Sequence, residues 1–378
     1  MITVERLVLR EIALSLKEAF RTSGGATHHR RILLVEAVDA GGDTGWGECV
    51  AEEAPVYSAE TVDTAWLAIP AWVAPAVLGR GFARPEEVFP ALEGAFRGHP
   101  MAKASVEMAI WDLAARREGR SLARVLGGSR ERVETGISLG IQGSPAALAE
   151  RARAAVAEGY RRVKVKVAPG EDLAFAAAAR DAVGEAFSLS LDANAAYTLD
   201  DLEVLRRLDA LHPAMIEQPL DPDDLTGHAR LQAALDANIC LDESITSVAR
   251  AADAIGLGAL RIINIKPGRV GGHTPARAIH DLAQRHGIPV WCGGMLESGI
   301  GRAHNVALAS LAGFTLPGDL SPSRRYWQRD IVDPEWTMHD GTLGVPLDRP
   351  GIGVEVDRDL VESVTVRRVE LGVDGPIG

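Results

Sequence analysis

Asp192, Glu217 and Asp242 recur at intervals of 25 residues, and each closes a short apolar run, in SLSLD, AMIEQP and NICLDE. Two lysine sites bracket them. VKVKV sets Lys164 and Lys166 on one face of an upstream strand, because side chains two apart share a face, and RIINIKPG sets Lys266 at the end of a downstream strand. Any one of the acids could simply cap a following helix. Three at matching strand ends offer clustered oxygens to a hard divalent cation, Mg2+ or Mn2+, which keeps positions open for substrate or water. A lysine beside a second ammonium and such an ion has a depressed pKa and can abstract a proton near neutral pH. Lys166, nearer its strand end than Lys164, is the better base.

These side chains need a frame that gathers strand ends. A repeat of about 25 residues suits one strand plus one helix of a β/α barrel, whose active groups sit at the C-terminal ends of the strands. Strands are expected at VETGISLGI (133–141) and near 163–167, 188–192, 214–218, 238–242, 261–265 and 288–292, with a weaker one at 314–316. Lys166 then lies on strand two and Lys266 on strand six, facing each other across the acids of strands three to five. That arrangement permits proton chemistry on both faces of one carbon.

The chain's 378 residues exceed a minimal barrel of about 250, leaving roughly 100 for another domain. The alternation through Ile2–Leu9 and the β-rich Arg31–Val38 predict a small sheet. Ala104, Met108, Trp111 and Ala115 predict a helix over 102–117 with one face on a core. The β-prone VESVTVRRVEL near the C-terminus is expected to return to this sheet. The expected fold is α/β: a modified (β/α)7β TIM-like barrel over 129–322, an α+β capping domain over 1–128, and a C-terminal segment, 323–378, completing the cap.

Composition excludes other classes. With 52 acidic and 40 basic residues, the formal charge of −12 opposes binding to nucleic acid or anionic membranes. The N-terminus lacks a signal-peptide layout. Cys49, Cys240 and Cys292 are odd in number and scattered, which fits reduced thiols and a cytoplasmic location. His273 and His304 are expected to be structural, since lysines already fill the acid/base positions. A non-catalytic binding barrel is the rival reading, but it leaves two lysine sites and three acids without a purpose.

In their order, KVK, DAN, EQP, DES, NIKPG and GGMLESGIGRAHN resemble the muconate-lactonizing subgroup of the enolase superfamily. FRTSGG (20–25), WGECVAEEAPVY (46–57) and MAKASVEMAIWD (101–112) resemble, within it, the N-succinylamino acid racemase and o-succinylbenzoate synthase family. The resemblance implies that Asp192, Glu217 and Asp242 ligate the metal, that Lys166 and Lys266 form the acid/base pair, and that Lys164 tunes Lys166. It also implies that Phe20, Arg21 and Ser23 belong to a loop closing over a small carboxylate substrate, with Gly293, Gly294 and Met295 on its far wall. Asn194, Glu243 and Asn264 are candidates to support the metal ligands or contact substrate, and Arg269 in KPGR would tune Lys266. The implied activity is racemisation of N-acylamino acids, N-succinylamino acids foremost, through an enolate. The alternative is o-succinylbenzoate synthesis for menaquinone, and relatives suggest a homo-oligomer.

Overall fold

The structure, a computed structural model, describes residues 1–22, 25–170 and 172–377. Its first layer is an antiparallel sheet in which β1 (Ile2–Thr22) pairs with β2 (Gly25–Asp39), and β2 with β3 (Thr44–Cys49). The C-terminal strand Thr365–Gly372 adds to the free edge of β1, so the two chain ends share one sheet. Helix α1 (Pro100–Arg117) lies directly on β3: a Cβ at Gly47 would sit 2.0 Å from the Ser105 carbonyl oxygen, and one at Gly45 would sit 2.2 Å from that of Ala109. Only glycine allows so close an approach. The helix is buried from Met101 to Ala115 rather than along one stripe, because it is sandwiched between this sheet and the barrel.

The second layer is the barrel. Its strands β4 (Gly136–Leu139), β5 (Arg162–Lys166), β6 (Leu189–Asp192), β7 (Met215–Glu217), β8 (Ile239–Leu241), β9 (Ile262–Ile265) and β10 (Val290–Cys292) pair in parallel and in chain order. After them come α2 (Pro145–Ala157), α3 (Asp172–Val183), α4 (Leu202–Asp209), α5 (Leu225–Ala234), α6 (Val248–Gly256), α7 (His273–Arg285) and α8 (Gly299–Ala309). Such right-handed strand–helix units bury both faces of the sheet, which explains the near-continuous apolar runs of the strands. Among the described residues, no helix is long and apolar enough to cross a membrane.

Two expected strands differ. VETGISLGI divides at Thr135: Arg132–Glu134 pairs antiparallel with Thr342–Gly344, and only Gly136–Leu139 enters the barrel. The eighth strand is reduced to isolated parallel bridges, Val290 with Phe314 and Thr135 with Gly318. Pro317 between them has no N–H to donate, so the ladder cannot run continuously, yet the bridges join β10 to the start of the barrel. The C-terminal segment also divides its contacts, since residues 342–344 brace the barrel before Thr365–Gly372 reaches the cap.

Candidate active site

Sheet register assembles the site. Lys166, Asp192 and Glu217 are successive Cα partners across β5, β6 and β7. Glu217 pairs with Cys240 on β8, and Asp242 lies two residues further along that strand's line, on the same face. Lys266 follows β9 directly and shares a face with Asn264, so the second lysine arrives from the far side of the acids.

The charges are paired and almost fully enclosed. Lys166 Nζ donates to Asp192 Oδ2 at 2.7 Å and to Asn194 Oδ1 at 2.6 Å. Lys266 Nζ donates to Asp242 Oδ2 at 2.9 Å. Lys164 Nζ lies 2.8 Å from Asp319, 2.9 Å from Glu217 and 3.1 Å from Asp192. Arg269 bonds Asp242 and donates to the Tyr57 hydroxyl at 3.1 Å and to the backbone oxygens of Ile245 and Asn264. Each lysine of the proposed pair thus holds a different outer acid of the trio, with Glu217 between.

Burial opposes every one of these charges, and their neighbours decide the outcome. For Asp192 burial works upward, but the ammonium groups of Lys166 and Lys164 outweigh it and hold the carboxyl below its ordinary range. For Glu217 burial and the charge of Asp192 prevail over Lys164, pushing it up to about 7. Glu243 is pushed up to about 8 by burial, then by Asp242 and Asp192. Burial would lower Lys164 and Lys266, yet their carboxylate partners raise both above the usual lysine range.

The donor set suits a hard divalent ion. Oε2 of Glu243 is buried without a hydrogen-bond partner, and Oε2 of Glu217 has only the Lys164 ammonium 2.9 Å away, which leaves on both lone pairs of the type such an ion takes. Among the described residues, no three acids, histidines or cysteines are grouped to hold a metal ion, and Asp192 and Asp242 turn oxygens toward lysines. Their backbone positions nevertheless adjoin at the ends of neighbouring strands.

A cavity of about 780 Å3 opens over these groups. Phe20, Lys164, Lys166, Asp192, Asn194, Asp242, Glu243, Lys266, Gly294 and Met295 all line it. Asn264 lies beneath, fully buried, donating to Glu217 Oε1 at 2.8 Å. Gly293 packs on Asn264 and Lys266 rather than facing the opening. The Arg21 side chain is exposed and absent from the lining, and its backbone oxygen instead accepts from the Ile141 amide. Ser23 lies outside the described residues. His273 and His304 are both fully buried in a chain ending on the Trp46 carbonyl, away from the cavity.

Three polar lining residues that contact or adjoin the central charges are not singled out by the sequence reading. The Tyr57 hydroxyl donates to Asp242 Oδ1 at 2.9 Å, and Lys266 Nζ stands 4.4 Å from the centre of its ring. Asp319, from the disguised eighth strand, joins Lys164 to Arg162. Arg30 comes from β2 of the cap. Tyr57 lies within one of the quoted motifs, but only its contacts single it out.

Residues 147–360 match the enolase C-terminal domain-like family, and residues 5–127 match the N-terminal domain of mandelate racemase and muconate lactonizing enzyme. The chain belongs to the mandelate racemase/muconate lactonizing enzyme family. This member is 48% identical over 364 residues to an o-succinylbenzoate synthase of Geobacillus stearothermophilus, covering 96% of each chain. It is also 48% identical over 363 residues to an N-succinylamino acid racemase of Thermus thermophilus, covering 96% of this chain and 97% of the relative. A solved enolase-superfamily protein from Listeria innocua superposes with a TM-score of 0.95 at 39% identity, over 99% of this chain and 100% of that one. The family resemblance drawn from the motifs is borne out, as is the capped, barrel-like α/β fold it implied.

Proposed function

We propose that this family member racemises N-acylamino acids, N-succinylamino acids foremost, by moving the α-proton between two lysines. The observation that carries this reading is the pairing of Lys166 with Asp192 and of Lys266 with Asp242, on opposite sides of Glu217. Asp192, Glu217 and Asp242 would hold a divalent cation, Mg2+ or Mn2+. That ion would supply electrostatic stabilisation to the substrate carboxylate as charge develops on it, and would compete with the lysines for the acids they now bond.

The chain's own groups do the rest. Lys166, as free amine, takes the α-proton from one face, and the electron pair passes into the adjoining carboxylate. The Lys266 ammonium returns a proton to the opposite face, which inverts the carbon. Lys164, enclosed by Asp192, Glu217 and Asp319, contributes a fixed positive charge beside Lys166. Tyr57 and Arg269 hold Asp242 in place next to Lys266. The hydrocarbon of Phe20 at the cavity mouth excludes water from the exchanging proton.

The second reading, o-succinylbenzoate synthase acting in menaquinone synthesis, is favoured by the identity to the Geobacillus enzyme. It shares proton removal and then expels a β-hydroxyl. A single preparation tests both, by kcat/KM for an N-succinylamino acid and for the synthase precursor with Mg2+ present. A ratio strongly favouring the precursor makes the synthase reading the right one, and turnover of neither overturns both. The three cysteines are free and buried, in keeping with a reducing cytoplasm.

A further inference from the structure

Arg30 is only 3% exposed, yet among the described residues it lacks the carboxylate partner that a buried guanidinium ordinarily has. Its recorded hydrogen bonds are two long ones, each 3.4 Å, to the backbone oxygens of Val50 and Met295. Its Nε has no partner, and among the described residues no carboxylate stands within ion-pairing distance. Enclosing an unpaired cation is costly. The other enclosed arginines avoid that cost or stand elsewhere: Arg10 pairs with Glu36, Arg162 with Asp319 and Arg269 with Asp242, while Arg180 and Arg302 donate to backbone oxygens and do not line the cavity. Arg30 does line it, together with both proposed catalytic lysines.

Its place relative to the chemistry is also defined. The Met295 backbone oxygen accepts from Arg30, and the Met295 sulfur lies 3.5 Å from Lys266 Nζ. One residue therefore separates the unpaired guanidinium from the amine that would serve one face of the α-carbon. The α-carboxylate belongs with the acid trio and its ion, so an anion at Arg30 must be a second one, carried on an arm of the substrate. A planar guanidinium fork matches a carboxylate in shape and charge.

We propose that Arg30 receives the distal carboxylate of the substrate's acyl arm, which makes the site selective for dicarboxylic acyl groups such as succinyl over neutral ones such as acetyl. This rests on the reading of the chain as an enzyme of N-acylamino acids. The competing account makes Arg30 a strap between the cap, at Val50, and the barrel, at Met295.

Arg30→Met and Arg30→Lys separate the two, assayed with N-succinyl and N-acetyl derivatives of one amino acid. In Arg30→Met the succinyl-to-acetyl ratio of kcat/KM should fall roughly 10- to 100-fold, the cost of losing a hydrogen-bonded charge, with most of the change in KM. Arg30→Lys should recover part of it. The midpoint of thermal unfolding should not fall, since an unpaired buried charge has been removed. An unchanged ratio overturns the proposal, as does an equal loss on both substrates with a lowered midpoint, which is the strap's signature. Equilibrium binding of o-succinylbenzoate against benzoate, with Mg2+ present, gives the same comparison without turnover. If the parent racemises neither substrate, the racemase reading fails. Arg30 is then judged by whether Arg30→Met weakens o-succinylbenzoate selectively; equal weakening of both ligands, or of neither, rejects it.

Discussion

Gly293→Ala tests whether Lys266 must stand where the structure puts it. The φ of Gly293 lies outside the positive range, so alanine is acceptable to the backbone and the effect of the change is steric. The added Cβ would meet Asn264 Oδ1 at 2.3 Å and Lys266 Cε at 2.6 Å, whereas ordinary contact begins at 3.4 Å, so the two must retreat by about 1.1 and 0.8 Å. Asn264 is anchored to Glu217 and fully enclosed, which directs much of the adjustment into Lys266 and the 293–295 loop. Misplacing a reacting group by about 1 Å costs on the order of 100-fold in rate, while overpacking costs about 1–3 kcal/mol in stability. We therefore expect kcat/KM for racemisation to fall about 100-fold in a protein that still folds, with near-native circular dichroism and a modestly lower unfolding midpoint. Steady-state racemisation followed by polarimetry reads the first quantity and thermal unfolding the second. Parental kcat/KM in a folded Gly293→Ala protein would refute the placement of Lys266 as a reacting group.

Chelation should abolish turnover, with Mg2+ or Mn2+ restoring it, and Asp242→Asn should weaken metal binding measured by titration calorimetry; full activity in metal-free protein contradicts the assignment. Tyr57→Phe removes a hydroxyl that touches Asp242, Lys266 and Arg269, and should lower kcat roughly 10-fold with little change in folding, read by steady-state kinetics against an unfolding control. The buried His273 and His304 are held below their ordinary pKa, foremost by burial, so the unfolded chain binds more protons as pH falls through 6.5 and the fold loses stability in that direction. The stability advantage of the parent over His273→Asn should then shrink by up to about 1.4 kcal/mol per pH unit between pH 6.5 and about 5 in urea unfolding; a constant difference rejects it.

The acids and lysines are legible in the chain because each stands where an apolar strand gives out, and sheet register turns that linear period into adjacency. Asp192 and Glu217 are neighbours for that reason alone. Tyr57 and Arg30 carry no such period. They reach the cavity because the cap folds over the barrel, a long-range outcome that local patterning does not encode. Asp319 stands beyond Pro317, past the weak strand expected at 314–316, where the missing N–H interrupts the ladder. The all-round burial of α1 was equally hidden, since its stripe of Ala104, Met108, Trp111 and Ala115 marks one packed face while the glycines of β3 create the second.

The central claim, two lysines serving opposite faces of one carbon, is tested most directly by α-proton exchange in deuterated buffer with separate enantiomers of an N-succinylamino acid. Lys266→Ala should stop inversion while still exchanging the α-proton of the enantiomer that faces Lys166, and Lys166→Ala should show the reverse preference. Interconversion of enantiomers at the parental rate in either single variant would contradict the two-base account.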